Sequence, residues 1–421
     1  MADGKSQAET KSRHKWLRTI LYILAGLLAV ICILTIIVII LLYRGNKTVQ
    51  TAPANAFYSA PVSFNRTPGS VIRTETISNG LPANSKAVKI LYTTTAFDTG
   101  NPIVCSASLF FPTTSAPKGG RPVIAWAHPT TGVSSISAPS LASDGGASMV
   151  PGLEAFLQQG YAVIATDYPG LGTQGLHPYL VGSSEARAVL DSVRATLHIK
   201  QADASNHFIV WGHSQGGQAA LWTGQMAKSY APELDLVGVA AAAPASELIQ
   251  LYDADIDTLA SSILGPMVFY TWSKVYPNVS MQSVVRPIAM PMAMKVAAAD
   301  INNQEDLESI VLDAVVMTKI MIKVNPTTIE PWKTLMQKNS AGDSPIGAPI
   351  LITQGTKDTV VHPEVTEGYV NKLCSNGEIV YFQLIKGASH GVAGNVSAPA
   401  VALWAQDRFN GIKAPSNCNA Q

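Results

Sequence analysis

Residues Gly212-His213-Ser214-Gln215-Gly216 place one hydroxyl between small neighbours, at the point where an apolar run ends. The preceding "HFIVW" is β-branched and aromatic, as a buried strand is. The following "GGQAALWTGQMAK" has the spacing of a helix packed on a sheet. G-x-S-x-G between a strand and a helix reads as a nucleophile elbow, a strained turn that tolerates only small residues where strand and helix crowd the serine. The pentapeptide alone carries little, because Gly and Ser are common. With its flanks, Ser214 is a candidate nucleophile.

A serine hydroxyl needs a base, and the base needs a carboxylate to orient it. Around such an elbow the chain order is Ser, then Asp or Glu, then His. Only His362 and His390 follow Ser214. His390 lies in "KGASHGV", just after a strand-like run, where a loop delivers it to the carboxyl edge of a sheet. His362 directly precedes Pro363 at a helix start and reads as a cap or a solvent-facing residue. Asp358 follows "PILITQGTKD". Ser214, Asp358 and His390 therefore each follow a different strand, and are the expected nucleophile, acid and base. The other aspartates read differently: Asp343 in "SAGDSPIG" as a turn, Asp407 as a solvated helix face, Asp167 in "ATDYPGLG" as a loop anchor.

Acyl transfer at Ser214 also needs donors aimed at the developing oxyanion. The backbone N–H of Gln215 is one. The second is expected from the loop His128-Pro129-Thr130-Thr131-Gly132, and since Pro129 has no N–H, Thr130 is chosen over Thr131. His128 reads equally as a substrate contact or a loop brace. No His/Cys cluster has zinc spacing and no glycine-rich phosphate loop follows a strand, so no metal or cofactor is expected.

The elements that must position these groups follow from the pattern of apolar runs. "AVKILYTTT" and "IVCSASLFFP" are joined by the hairpin signal "AFDTGN". From Pro122 onward, "PVIAWAHP", "YAVIATDYPG", "HFIVWGHS", "LVGVAAAAP", "PILITQG" and "IVYFQLIKG" alternate with helical stretches such as "GLEAFLQQG", "SSEARAVLDSVRATL", "PEVTEGYVNKLC" and "APAVALWAQDRF". Near-continuous apolar strands alternating with helices predict an α/β fold with a mostly parallel sheet covered on both faces. Between Pro244 and Pro349 about a hundred residues lack a βα unit and read as helical. That length predicts an inserted helical subdomain. Its Met281, Met290, Met292 and Met294 could line an acyl tunnel or build a buried core.

The 421 residues carry 29 basic and 28 acidic side chains, which leaves no basic field for nucleic acid. No charge occurs between Arg18 and Arg44, and this run exceeds the about 20 residues that cross a hydrocarbon core. Lys5, Lys11, Arg13, Lys15 and Arg18 against Asp3 and Glu9 give +3 before the run; subtracted from the total of +1, this leaves −2 after it. The flank predicts an inside N-terminus with the bulk of the chain outside the cytoplasm. "APANA" at Ala52 to Ala56 keeps cleavage and secretion open as an alternative. The expected organisation is a cytoplasmic tail over 1–19, a transmembrane anchor over 20–43, a linker over 44–70 and a catalytic domain over 71–421, with the insertion at about 245–345. Cys374 at a helix end and Cys418 in the polar tail "APSNCNAQ" form a candidate disulfide, with two free thiols the alternative; Cys105 reads as a small buried hydrophobe.

These motifs together resemble the α/β-hydrolase superfamily and, more narrowly, the secretory lipase family. The resemblance runs from about Ser70 to Cys418, on "AWAHPTTG", "ATDYPGLG", "GHSQGG", "AAAAPA", "ITQGTKDTVV", "LCSNG" and "RFNG" with the late cysteine. It implies a helical cap after the sixth strand, hydrolysis of carboxylic esters including triacylglycerols, Ser214, Asp358 and His390 as the triad, and the "HPTTG" loop as oxyanion support. Two departures are the N-terminal apolar run and "HPTT" in place of the more usual "HG". The competing activities are acyl transfer and, within the same superfamily, peptide hydrolysis, although peptidases there more often carry a propeller cap. A rival of another class is a surface binding module on a retired hydrolase scaffold, from which drift would be expected to remove a triad member.

Overall fold

The computed structural model describes residues 15–33, 35 and 48–418, in two compact units divided between Lys47 and Thr48. In the first unit the described element is helix α1 (Lys15–Ile33), of mean hydropathy 2.2 and with no part of its apolar window buried. At 1.5 Å per residue it is roughly 28 Å long, close to a hydrocarbon core. The expected tail charges Lys5, Lys11 and Arg13, and the stretch 36–47 that completes the expected anchor and begins the linker, lie outside the described residues.

The second unit is built on a nine-stranded sheet: β1 (Val71–Ile77), β2 (Ser85–Thr95), β3 (Pro102–Pro112), β4 (Arg121–Ala127), β5 (Ala162–Thr166), β6 (Ala204–His213), β7 (Asp235–Ala242), β8 (Ile350–Gly355) and β9 (Val380–Ile385). The spatial order is β1-β2-β3-β5-β4-β6-β7-β8-β9. The three first strands and the β3–β5 pair are antiparallel, and every pair from β5 to β9 is parallel. Helices α2 (Leu153–Gln158), α3 (Gly182–Leu197), α4 (Gln215–Tyr230), α11 (Pro363–Ser375) and α12 (His390–Phe409) belong to the βα units. One sheet face packs α3 and α4 through Val189, Val193 and Leu221, and the other packs α2 and α12 through Phe156, Val401 and Trp404. Central strands are therefore buried on both sides, which is why β6 reads as an unbroken apolar run rather than an alternation.

Between β7 and β8 run α5 (Leu248–Asp255), α6 (Leu259–Val275), α7 (Met281–Val284), α8 (Met290–Ala297), α9 (Gln304–Met317) and α10 (Trp332–Asn339). Thr258 caps α6 by accepting the N–H of Ser261, and Asn303 caps α9 by accepting that of Asp306. These helices have a core of their own around Met267, Phe269, Trp272 and Trp332, with the two tryptophan rings stacked at 6.1 Å.

Three features differ from the sequence reading. Strand β1 was not foreseen: it is an edge strand in which only Ile77 is buried, so it carries almost no apolar signal. Helix α12 starts at His390, eight residues before the "APAVALW" pattern, because Gly391 and Gly394 hide its first turns. The expected linker does not stand free over its described part. Tyr58 is fully buried with its hydroxyl 2.8 Å from Ser140 Oγ, and the Ala54 N–H donates to the Gly172 carbonyl.

Cys374 and Cys418 form a disulfide with Cα atoms 5.3 Å apart. The tail is held by more than this bond. Asn417 donates its N–H to Val380 O, and its side chain exchanges two hydrogen bonds with Phe382, occupying the open edge of β9. Cys105 is buried, and burial pushes its thiol up to about 12.

Candidate active site

The carboxyl ends of the parallel strands bring the sequence-chosen residues together. Trp126 pairs with Trp211 and Ala127 with Gly212, so loop 128–132 leaves β4 level with the elbow leaving β6. Ser214 has φ 58° and ψ −118°, a left-handed conformation imposed by the turn from β6 into α4. A Cβ on Gly212 would stand 1.9 Å from the Gly216 carbonyl oxygen, and one on Gly216 would stand 1.9 Å from that of Ala127. No side chain fits at either position, which is the physical content of G-x-S-x-G. Ser214 N–H donates to Ala242 O, fixing the elbow to β7.

His390, at the start of α12, has Nε2 2.9 Å from Ser214 Oγ and Nδ1 2.8 Å from Asp358 Oδ2. Asp358 lies just past β8 and is 3% exposed. Its Oδ1 accepts the N–H groups of Val360 and Val361, and its Oδ2 accepts the Gln354 amide at 3.2 Å. Burial pushes this carboxyl up, but the bond and charge of His390 and the two backbone donors outweigh it and hold Asp358 below the usual range. Held ionised, this carboxylate fixes the proton on His390 Nδ1 and leaves Nε2 to accept from the serine. The arrangement can generate an alkoxide-like nucleophile.

The alternatives fall elsewhere. His362 caps α11, 3.0 Å from Asp255 and 3.7 Å from Glu364, and is not near a serine bond. Asp343 meets Lys372 at 3.5 Å on the surface, and Asp407 is half-buried on α12. Asp167 is a buried anchor: it accepts Ser106 Oγ at 2.5 Å, the Ser140 N–H, and the Ser140 hydroxyl. Burial pushes it up to about 6. His128 is a brace, its ring nitrogens against the carbonyls of Pro129 and Asp167, and burial lowers it to about 4.

Gln215 opens α4, so its N–H is one of the free donors of a helix N-terminus beside the Ser214 hydroxyl. Thr130 and Ser214 line the same groove, and the Thr130 hydroxyl is 2.8 Å from that of Tyr179. Thr131 is fully buried, with its carbonyl accepting the Ile301 N–H. His213, directly before Ser214, places its ring 4.9 Å from that of His390; burial lowers it to about 3 and keeps it neutral.

Two cavities share Ser214. One is apolar and runs under the helices between β7 and β8, past Leu251, Leu264, Val268, Phe269 and Trp272. The other is more open and is lined by Thr130, Pro151, His213, His390 and Asn395. The first has the apolar character of a small-molecule site. Met281, Met290, Met292 and Met294 do not line it; they pack in the helical core, while Met336 reaches the cavity wall. The bland alternative for those methionines is the observed one.

Sequence reasoning missed His177, Glu185 and Asp255, all buried polar groups around the site. For Glu185 a signal existed: it lies on the same face of "SSEARAVLDSVRATL" as the buried Val189, Ser192 and Val193, where a carboxyl is out of place.

A model of the secretory lipase family matches residues 148–417. The chain belongs to the secretory lipase family. It is 25% identical over 381 residues to a probable inactive lipase of Mycobacterium tuberculosis, covering 84% of this chain and 82% of that one. It is 28% identical over 280 residues to a secreted triacylglycerol lipase of Malassezia globosa, covering 63% and 59%. The fold is that of Candida antarctica lipase A in its closed state, with TM-score 0.70 at 18% identity over 87% of this chain and 88% of that one. The rice cell wall degrading esterase LipA of Xanthomonas oryzae gives 0.68 at 18% identity, covering 82% and 100%. This secretory lipase chain is thus placed among α/β-hydrolases whose family chemistry is ester hydrolysis.

Proposed function

We propose that this chain is a serine carboxylic ester hydrolase, with Ser214 as nucleophile, His390 as base and then acid, and Asp358 as the orienting carboxylate. The observation that carries the reading is the continuous hydrogen-bonded series from Ser214 Oγ through His390 to Asp358, at 2.9 and 2.8 Å. Ser214 attacks the ester carbonyl as its proton passes to His390 Nε2. The tetrahedral oxyanion faces the N–H of Gln215 and, in the same groove, Thr130. Collapse expels the alcohol with the proton from His390 and leaves an acyl-serine, which water opens by the same steps in reverse order of partners.

The apolar cavity suits the acyl chain, and the open groove suits the alcohol and the incoming water. Helices α5–α10 then act as the cap domain expected at about 245–345. Lipid esters, triacylglycerols among them, are the substrate class that the family and the apolar cavity favour together. Helix α1 and the uncharged run beyond it serve as a single-pass anchor that leaves the hydrolase outside the cytoplasm; processing near Ala54 or Ala56 is the competing arrangement.

A fluorophosphonate probe and a chain-length series of p-nitrophenyl esters test this reading. Labelling at Ser214 with turnover that varies with acyl length supports it. A folded chain that neither reacts nor hydrolyses any ester would instead be a binding module on a hydrolase scaffold.

A further inference from the structure

Directly behind the elbow lies a polar cluster that the serine chemistry leaves unused. Gln215 is 1% exposed, and its amide nitrogen donates to Glu185 Oε1 at 2.7 Å and meets His177 Nε2 at 3.0 Å. His177 Nδ1 is 3.1 Å from the carbonyl of Pro169, which can only accept, so Nδ1 carries the proton and Nε2 accepts the second Gln215 N–H. Glu185 Oε1 also accepts the Leu180 N–H at 3.1 Å. Glu185 comes from the first turn of α3 and His177 from the loop after β5, and both are fully buried.

The same segment reaches the other side of the oxyanion site. Tyr179 places its hydroxyl 2.8 Å from Thr130 Oγ1, and its carbonyl accepts the Trp272 indole N–H from α6. Residues 177–185 therefore touch Gln215, Thr130 and the helices above the acyl cavity. We propose that Glu185, with His177, is a positioning residue of the oxyanion hole: the pair holds Gln215 by its side chain so that its backbone N–H faces the oxyanion. The inference rests on the reading of Ser214 as nucleophile.

The charge state of Glu185 decides how well this works. The titratable groups facing it are His177 on the loop, with Tyr168 and Tyr179 nearby, and among the described residues no lysine or arginine pairs with it. Burial pushes its carboxyl up to about 8, only partly offset by the Gln215 and Leu180 bonds, so it is a neutral acid at pH 7. Neutral, it accepts N–H bonds without placing negative charge behind the donors that stabilise the oxyanion. Ionised, it would oppose the oxyanion in a dry environment. The site thus acquires an alkaline limit that belongs to a residue outside the triad.

The test compares full-length wild type, Glu185→Gln and Glu185→Ala on p-nitrophenyl butyrate from about pH 6 to about pH 10, with circular dichroism as the folding control. Glu185→Gln copies the neutral acid, so it should keep most of kcat at pH 7 and lose the wild-type decline above pH 8. Glu185→Ala should lose about 10²-fold in kcat with KM little changed, the cost of a misplaced donor. A Glu185→Gln variant that melts like wild type yet is as slow as Glu185→Ala would overturn the proposal. So would an alkaline decline identical in wild type and Glu185→Gln, a reading that stands even if Glu185→Ala does not fold. Wild type that turns over no ester and resists the fluorophosphonate would sink the Ser214 reading and this one with it; active wild type with an unmoved profile sinks this one alone.

Discussion

Two aspartate–histidine pairs lie at the carboxyl edge of the sheet, and only one meets a serine hydroxyl. Asp358–His390 and Asp255–His362 have similar contact distances, 2.8 and 3.0 Å. They differ in what surrounds each partner. Asp358 is gripped by two backbone N–H groups and an amide, which keeps it ionised. Asp255 ends α5, where the helix dipole disfavours negative charge, and burial raises it despite the His362 bond. His390 presents its second nitrogen to Ser214, whereas His362 turns its own towards the exposed Glu364. An Asp–His pair is therefore not a base in itself. It becomes one when its acid is held charged and its free nitrogen meets a hydroxyl.

Mutations should separate the two pairs most sharply in turnover. Ser214→Ala and His390→Ala should each cost at least about 10³-fold in ester hydrolysis, and the double variant little more. Asp358→Asn should cost a comparable factor, about 10⁴ where the wrong tautomer is fixed. His362→Ala and Asp255→Asn should leave turnover near wild type. Steady-state kinetics on one short ester checks all six, and an inactive His362→Ala beside a normal His390→Ala reverses the assignment of the base.

The contrast between the cavities gives the next effect. Leu251 lines the apolar cavity but not the open groove. Leu251→Trp should lower kcat/KM for long acyl chains by about 10-fold or more relative to short ones, the scale of a few methylenes in an apolar pocket. Competition assays with paired esters measure the ratio. Loss that is equal for all chain lengths would place the acyl chain elsewhere.

Linkage predicts a further difference between the buried acids and Asp358. Glu185 at about 8 and Asp167 at about 6 lie above the about 4 of unfolded carboxyls, so the folded chain binds more protons between those values. Their contribution favours the fold more as pH falls from about 8.5 towards 5 and is lost as pH rises through each folded value. Asp358 has the opposite sign, and its contribution fades only below pH about 4. Melting temperature should therefore rise as pH is lowered from about 8.5 to about 7, above the range in which the buried, neutral His128, His177 and His213 take up protons on unfolding and oppose the acids; a flat or falling profile over that span contradicts the buried-acid account.

The smallest effect belongs to the tail. Its disulfide, spanning 44 positions, is worth about 2–4 kcal/mol against unfolding. Because Asn417 also pairs with β9, Cys418→Ser should lower stability by that order without changing kcat. Denaturant titration with and without reductant measures it.

The parallel strands and the Ser214, Asp358 and His390 positions were legible because they depend on local pattern: apolar runs, small residues at a turn, and one polar residue after each strand. Strand β1 and the first turns of α12 were not, because an edge strand buries one side chain and Gly391 and Gly394 mask helical spacing. The packing of Tyr58 against Ser140 was equally hidden, since two polar hydroxyls far apart in sequence give no periodic signal. The same holds for Gln215, His177 and Glu185, which come from three separate elements and meet only in the fold. Secretory lipase motifs locate the chemistry; the residues that aim it require three dimensions.

The central claim is that Ser214 is an activated nucleophile, and peptide mapping after fluorophosphonate treatment tests it most directly. One adduct on the peptide containing Ser214, absent from Ser214→Ala and strongly slowed in His390→Ala, is the predicted result. An adduct on another serine, or undiminished labelling of His390→Ala, would contradict it.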